Sequence, residues 1–544
     1  MAAVRDQQWL VRLDAALRNQ GMGAAGQLAI QAVAEGVTHP GVLNLAASAH
    51  FGRGRFDDAL QLLRRARANS PGDPQVLNSM GLCLKAVGRT DEALQAFDDA
   101  LAIRPGMPSA HFNRGILLQE LKYPKAARAA YEQAAALDPN YIDALASIAG
   151  LDAQAGDTVS ARKLGNQVLA RAPTHVAARI AVASADLQEG ELDAAEARLS
   201  GLNKEATLEE VDRAIVLGLI GDLKDAQGRP AEAFVAYAES NAGLKAMYAA
   251  LAAASGAVSP LDLARRLIAW FGAAGPEPWR DTPAAPPGAD DPKAHVFLVG
   301  FPRSGTTLLE NVLAAHPDVV SLEERNCLES ASATYLTTPE GLERLARIGP
   351  AEAARERENY WTNVRKFGVE PGSRVFIDKM PLASVALPLI AKLFPDALIL
   401  FARRDPRDVV LSCFRRRFGM NASMYQLLTL NGAATYYDAV MRLSELYREI
   451  LPLPQHLVRY ESLVEDFEGT ARAACGFLGL EWDQKLFDFA AKARTRGIWT
   501  PSAAQVVRGL NREGEGVWRR YREEMAPVLP MLQPWVERFG YAGE

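Results

Sequence analysis

Chemistry concentrates in one segment of the chain, Gly300-Phe-Pro-Arg-Ser-Gly-Thr-Thr307. The run His295-Val-Phe-Leu-Val-Gly300 that leads into it reads as a buried strand, and Leu308, Leu309, Val312 and Leu313 beyond it keep helical spacing. A strand, a glycine-bearing loop and a helix start make an anion cradle, because backbone N–H groups and the helix dipole converge on one point. Loops that grip nucleoside triphosphates follow G-x-x-x-x-G-K-[ST]. Gly300, Gly305 and Thr307 keep that spacing, but Thr306 stands where the lysine belongs. Without the lysine the charge of a β,γ-phosphate pair is poorly compensated. Triphosphate hydrolysis and kinase chemistry are therefore disfavoured, and a donor with a single phosphate at this position fits better.

The elements that must position this loop are short. Val296–Val299, Val375–Ile377, Ala397–Phe401 and Leu457–Val458 are β-branched or apolar runs that alternate with helical segments. Such alternation predicts a central parallel sheet flanked by helices. Upstream the pattern differs, because an alanine-rich block from about residue 40 to 205 repeats every 34 residues. Pro71, Pro105, Pro139 and Pro173 mark unit ends. Ala47, Gly81, Gly115, Ala149 and Ala183 recur in a first helix, and Ala59, Ala93, Ala127, Ala161 and Ala195 in a second. Small residues at these phases let antiparallel helices approach, while Leu63, Phe97 and Tyr131 fill the groove between them. A turn glycine recurs at Gly54, Gly88, Gly156 and Gly190, with Lys122 the exception. This pattern resembles the tetratricopeptide repeat, which implies a superhelix with a concave face for a protein or peptide. After an insertion from Gly201 to Val211, the residues Gly221, Gly228, Ala233 and Tyr237 restart the phases as a sixth, degenerate unit. Residues 8–36 read as an atypical cap.

Six prolines between Ala274 and Pro292 predict an extended linker. The expected division is a repeat array over 1–255, a connecting helix and Pro-rich linker over 256–293, and an α/β P-loop-like domain over 294–544. A net charge of -5 provides no global field for nucleic acid or an anionic membrane. Cys83, Cys327, Cys413 and Cys475 lack paired spacing and suit a reducing compartment, and the seven scattered histidines suggest no metal site. No apolar run has the length of a signal peptide or a membrane span, so a cytoplasmic protein is expected.

Pro302-Arg-Ser-Gly-Thr-Thr307 resembles the 5'-phosphosulfate loop of sulfotransferases, particularly tyrosylprotein sulfotransferases and bacterial relatives that carry tetratricopeptide repeats. The resemblance implies that Arg303, the main chain of Ser304 and Gly305, and the hydroxyls of Thr306 and Thr307 hold the 5'-phosphate and sulfuryl oxygens of 3'-phosphoadenosine 5'-phosphosulfate (PAPS). Arg403-Arg-Asp-Pro-Arg-Asp-Val-Val-Leu-Ser412 is similar to the family's 3'-phosphate motif, an arginine and a serine eight residues apart, here Arg404 and Ser412. Arginine supplies a planar charged fork matched to phosphate oxygens, and the serine adds a hydroxyl. Val458-Arg-Tyr-Glu-Ser-Leu463 resembles the strand whose tyrosine, here Tyr460, lies near the nucleotide; core packing is its alternative role. Thr500 to Val506 and Val517 to Tyr521 resemble the last nucleotide-contacting segment, which implies contacts from Ser502 and Arg508. Val517 replaces the usual basic residue before Trp518, so Arg519 or Arg520 would substitute.

The family likeness also implies the chemistry. Sulfuryl transfer is an in-line displacement that needs a base for the acceptor proton and cations for the leaving phosphate, with no metal strictly required. Counting from His316-Pro-Asp-Val selects Glu324 as the base, with Glu323 the near alternative. Asp378-Lys-Met-Pro381 resembles the segment whose lysine stabilises the leaving group, so Lys379 is the expected acid or electrostatic stabiliser, supported by Arg303. Asn326 stands where an arginine helps animal enzymes attract acidic peptides, which weakens any acidic preference. The expected acceptor is a protein tyrosine recruited by the repeats. A carbohydrate, lipid or small phenol, or a non-catalytic nucleotide-binding adaptor, are the alternatives.

Overall fold

The computed structural model describes residues 2–252, 258–280, 292–496, 506–507 and 509–542. Five strands, β1 (Ala294–Gly300), β2 (Val319–Glu323), β3 (Val375–Lys379), β4 (Leu398–Arg403) and β5 (Gln455–Arg459), form one sheet in the order β2-β3-β1-β4-β5. Every pairing is parallel. Parallel strands bury both faces, and the central β1 accordingly runs Val296, Phe297, Leu298 and Val299 without a polar interruption, all fully buried. Phe297 and Val299 face one core, and Val296 and Leu298 the other, as a two-residue period requires. Four of the strands coincide with the apolar runs of the sequence. β2 does not, because Val319-Val-Ser-Leu-Glu323 is short and ends on charge.

The repeats fold as antiparallel helix pairs, beginning with Pro40–Phe51 and Phe56–Asn69, then Pro74–Ala86 and Thr90–Ile103, then Pro108–Glu120 and Pro124–Leu137. Several open on proline, whose missing N–H costs nothing in the first helical turn. Asp73 caps one of them by accepting from the N–H groups of Gln75 and Val76. The small residues have a visible reason. A Cβ on Gly81 would come within 2.5 Å of the Phe97 ring, and one on Gly115 equally close to Tyr131. Gly221 faces Tyr237 in the same way, so Glu210–Ala226 and Pro230–Met247 are the degenerate sixth pair. Lys122 takes the left-handed backbone (φ 61°) that glycine takes in the other turns. The amino-terminal cap is the helical span Ala2–Ala34, broken at Gly21.

By compactness the chain forms two units: 1–153 with 157–182, and 183–544 with 154–156. The sixth helix pair therefore belongs to the unit that holds the sheet. Ala233 and Tyr237 share a core with Phe297 and Val299. Asp225 binds Arg415 and accepts from the Tyr521 hydroxyl at 2.7 Å, and Asn241 donates to the Phe414 carbonyl at 2.8 Å. The proline-rich segment is not extended where it is described. Helix Pro260–Ala274 buries Ala264, Leu267 and Phe271 in the same core, and Glu277–Arg280 makes one helical turn that buries Trp279 completely. Burying an indole outweighs the extended preference of its proline neighbours, and Lys392 pins the turn by donating to the Pro278 carbonyl at 2.7 Å. Residues 281–291 lie outside the described residues. No described helix is long and apolar enough to cross a membrane.

Candidate active site

Most of the expected site residues that are described sit at or just beyond the carboxyl end of a strand, with Ser412 in the helix after β4. Register makes this explicit: Gly300 pairs with Ala402, Glu323 with Lys379, and Arg403 with Arg459. The chain places β3 on one side of β1 and β4 on the other, and a crevice at such a reversal is where open parallel sheets bind ligands.

The loop after β1 turns directly into helix Thr306–Ala314, whose first N–H groups have no partner within the helix. Both glycines are sterically required. A Cβ on Gly300 would meet the Ala402 carbonyl at 2.6 Å, and one on Gly305 the Tyr460 ring at 2.9 Å. Ser304, Thr306 and Thr307 are all buried around the turn. Arg303, immediately before them, is in the left-handed region (φ 71°), and its Nε donates to the Ser412 hydroxyl at 3.0 Å. Ser412 lies on helix Pro406–Arg415, which follows β4.

Arg404 turns its guanidinium toward the same space. One N–H donates to the Arg303 carbonyl at 3.1 Å, another to the Gly514 carbonyl, and the plane lies 4.8 Å from the Tyr460 ring. Arg303, Gly305, Leu308, Arg404, Tyr460 and Gly514 line a cavity there. Burial, with Arg416 and Arg404 nearby, drops the Arg303 guanidinium to about 9, which marks a site short of negative charge. Ser304 Oγ and Arg404 Nε are buried without a hydrogen-bond partner. Two orphaned donors among crowded cations fit an anionic ligand.

The carboxyl-terminal segment is held beside this cavity by Asp408, which accepts from the N–H groups of Gly516 at 2.7 Å and Trp518 at 2.9 Å. Trp518 packs under Arg407, whose guanidinium lies 4.0 Å from the ring. Arg520 pairs with Asp225 at 3.0 Å, and Arg519 packs by Trp518. Neither lines the cavity. Ser502 and Arg508 lie outside the described residues.

The second cluster surrounds Lys379 at the end of β3. Its side chain is fully buried, with Nζ 2.9 Å from Glu324, 3.4 Å from Glu310 and 3.6 Å from Glu323. Burial alone would lower the lysine, yet Glu324, Glu310 and Glu323 together raise it above its ordinary value, so the ammonium is charged. Glu324 itself adopts a left-handed backbone (φ 46°), and its N–H donates to the Lys379 carbonyl at 2.8 Å. Among the described residues, Lys122, Arg303 and Glu324 are the non-glycines with positive φ. Two of these three are expected site residues, where strain of ~1–3 kcal/mol each is held by the surrounding fold.

Sequence reasoning missed Glu310. It follows Leu308 and Leu309 in a helix that reads as apolar, and a carboxylate embedded there was the available signal. Its side chain is fully buried and accepts from the Ser321 hydroxyl at 3.0 Å. Asp378, beside Lys379, accepts from the Tyr360 hydroxyl at 2.7 Å, which is also 2.9 Å from His295 Nε2. Burial pushes the Asp378 carboxyl up to about 7, against the opposing Tyr360 hydrogen bond.

Residues 295–484 match the Sulfotransferase family. Residues 10–74, 44–108, 108–141 and 152–215 match tetratricopeptide repeats. An uncharacterised protein of Aquifex aeolicus is 27% identical over 261 residues, covering 44% of this chain and 32% of that protein, so the match spans about a third of that relative. Protein-tyrosine sulfotransferase 1 of Danio rerio is 29% identical over 268 residues, covering 45% of this chain and 72% of the relative. Protein-tyrosine sulfotransferase 2 of Gallus gallus is 27% identical over 265 residues, covering 45% and 69%. A tetratricopeptide repeat protein from Parabacteroides merdae covers 44% of this chain and 93% of its own at 16% identity, with a TM-score of 0.34. The chain thus joins tetratricopeptide repeats to a sulfotransferase-family domain, and over that domain it is similar to protein-tyrosine sulfotransferases.

Proposed function

We propose that the protein transfers the sulfuryl group of PAPS to the hydroxyl of a protein tyrosine. The observation that carries the reading is the Lys379–Glu324 pair at 2.9 Å, one strand away from the loop that supplies Arg303. In this reading the 5'-phosphate and sulfuryl oxygens lie against Arg303, Ser304, Gly305, Thr306 and Thr307. The 3'-phosphate is held by Arg404 and Ser412, with Tyr460, Ser502 and Arg508 beside the nucleotide. Glu324 takes the acceptor proton, the acceptor oxygen bonds to sulfur, and the bond from sulfur to the phosphate oxygen breaks. Lys379 and Arg303 meet the charge that develops on that oxygen. Glu324 is 25% exposed and Lys379 is not exposed at all, which suits the one for an arriving acceptor and the other for a buried leaving group. No metal takes part in this scheme.

Tetratricopeptide repeats present surfaces to other proteins, and here they would recruit or orient the acceptor. The division at 1–255, 256–293 and 294–544 stands as a division of sequence pattern, with the sixth helix pair packed as part of the unit that holds the sheet. A cytoplasmic location belongs to the same proposal, supported by four cysteines that are all buried and unpaired. The test is incubation of the purified protein with PAPS labelled in sulfur and a lysate of its source. Label recovered as sulfotyrosine in protein is the expected result. Label in carbohydrate, lipid or a small phenol moves the acceptor class, and binding of adenosine 3',5'-bisphosphate without donor consumption makes the protein an adaptor.

A further inference from the structure

Three carboxylates crowd one buried lysine, and two of them have no part in the scheme above. They differ in exposure. The side chain of Glu324 is 25% exposed, that of Glu323 19%, and that of Glu310 is sealed. Glu310 therefore approaches Lys379 from the closed side, where no acceptor reaches. Its position is fixed from two directions. It rises from helix Thr306–Ala314, the helix that begins with Thr306 and Thr307 of the loop, and Ser321 in β2 donates to its Oε1 at 3.0 Å. The other oxygen, Oε2, lies 3.4 Å from Lys379 Nζ.

Glu324 cannot hold Lys379 throughout the reaction. Once Glu324 accepts a proton it is neutral, and its attraction for the ammonium collapses. A buried lysine with no carboxylate sheds its proton readily, and a neutral amine would not stabilise a leaving phosphate oxygen. We propose that Glu310 is a positioning residue for sulfuryl transfer, keeping the Lys379 ammonium charged and aimed while Glu324 takes the acceptor's proton. This role rests on the sulfotransferase reading. Among the described residues, the charged groups around Lys379 are Glu310 on the loop helix, Glu323 and Glu324 at the end of β2, and Asp378 on its own strand, the last acting mainly on the Tyr360 side. Burial opposes the charge on Lys379, and the three glutamates outweigh it.

The experiment follows PAPS consumption by the full chain across pH, with transfer to water as the acceptor-independent reaction. In that reaction water bonds to sulfur, its proton passes to Glu324, and adenosine 3',5'-bisphosphate leaves. For Glu310→Gln, kcat is expected to fall at least about tenfold, and by no more than the ~10²–10⁴ that the positioned acid itself contributes. The loss of rate at alkaline pH moves downward, toward the ordinary lysine range. KM for PAPS and the affinity for adenosine 3',5'-bisphosphate stay within about twofold, because Glu310 does not touch the donor. Glu310→Asp restores part of kcat, and Ser321→Ala, which removes one hydrogen bond to Glu310, shifts kcat the same way by less. An E310Q protein with wild-type kcat and an unmoved alkaline limb overturns the role. Equal losses in kcat and nucleotide affinity that E310D does not relieve also overturn it, as does an E310Q that cannot fold beside an S321A of unchanged kcat and pH profile. Wild-type protein that never consumes PAPS fails the sulfotransferase reading first, whereas wild-type turnover beside an indifferent E310Q fails this role alone.

Discussion

The Nε of Arg303 donates to the Ser412 hydroxyl at 3.0 Å across 109 residues of sequence. That bond ties the loop after β1 to the helix after β4, and so ties the residue proposed for the 5'-phosphate to one proposed for the 3'-phosphate. Arg404 adds a second tie through the Arg303 carbonyl. Removing Arg404 should weaken adenosine 3',5'-bisphosphate binding by about 10- to 100-fold, since hydrogen bonds to charged groups are worth ~1.5–3 kcal/mol. Ser412→Ala should cost about tenfold or less, as one neutral hydroxyl. Calorimetric titration checks both, and R404A with unchanged affinity would remove Arg404 from the donor site.

Glu324 and Lys379 act on each other before either acts on a substrate. Lys379→Ala and Glu324→Ala should each remove most turnover, ~10²-fold or more, with nucleotide affinity nearly kept. Because they are paired at 2.9 Å, the double variant should lose little more than the worse single one. Rate constants from the four proteins test this; multiplicative losses would show independent roles.

The repeat array carries its own test at one turn. Lys122 adopts φ 61° where Gly54, Gly88, Gly156, Gly190 and Gly228 stand in equivalent turns. A left-handed non-glycine costs ~1–2 kcal/mol. Lys122→Gly should therefore raise the melting temperature of the repeat unit by a few degrees. Gly115→Ala should lower it, because the new Cβ comes within 2.5 Å of the Tyr131 ring and overpacking costs ~1–3 kcal/mol. Thermal unfolding of the two variants gives opposite signs if the turn and the groove are read correctly.

These residues also show what a sequence reveals. The 34-residue period was legible because helix pairs in a stack need small residues at fixed phases, and Gly81, Gly115 and Gly221 each face an aromatic ring for that reason. Four strands were legible as apolar runs because parallel strands are buried on both faces. β2 was not, since it is short and half-exposed, and ends at Glu323. Glu310 was hidden because its significance lies in its approach to Lys379, 69 positions later in the chain. The turn at Trp279 was read as extended from its prolines, whereas burial of the indole decided its conformation. Arg415 and Arg416 pair with Asp225 and Asp222 of the sixth helix pair, about 190 positions earlier, partners that only the fold brings together.

Asp378 predicts a pH dependence of stability. Its carboxyl is raised from 3.8 to about 7 by burial, so the folded chain binds the proton more tightly than the unfolded one. The contribution is therefore most favourable below pH 3.8, declines as pH rises through the window to about 7, and stays low above it. Asp378→Asn keeps an acceptor for the Tyr360 hydroxyl and removes the titration. Relative to wild type, D378N should gain stability between pH 5 and pH 8, on the order of 1–3 kcal/mol. Denaturant midpoints at the two pH values measure it, and a pH-independent difference would place the titration elsewhere.

Where the catalytic unit begins can be tested by where the chain is cut. A boundary at residue 256 separates Asp225 from Arg415 and Tyr521, Asn241 from the Phe414 carbonyl, and Tyr237 from the shared core. Arg415 would then be an uncompensated charge beside a newly exposed apolar face, and breaking a buried pair costs ~3–5 kcal/mol. A chain beginning at Ala183 retains all of these partners. It should express as a folded protein that binds adenosine 3',5'-bisphosphate with the affinity of the full chain. One beginning at residue 256 should aggregate or melt far lower, even though it keeps all five strands and every expected donor-site residue. The sixth helix pair would then be a repeat in ancestry and pattern but a structural part of the sulfotransferase-family domain. Equal stability and affinity in the two shortened chains would return it to the repeat array.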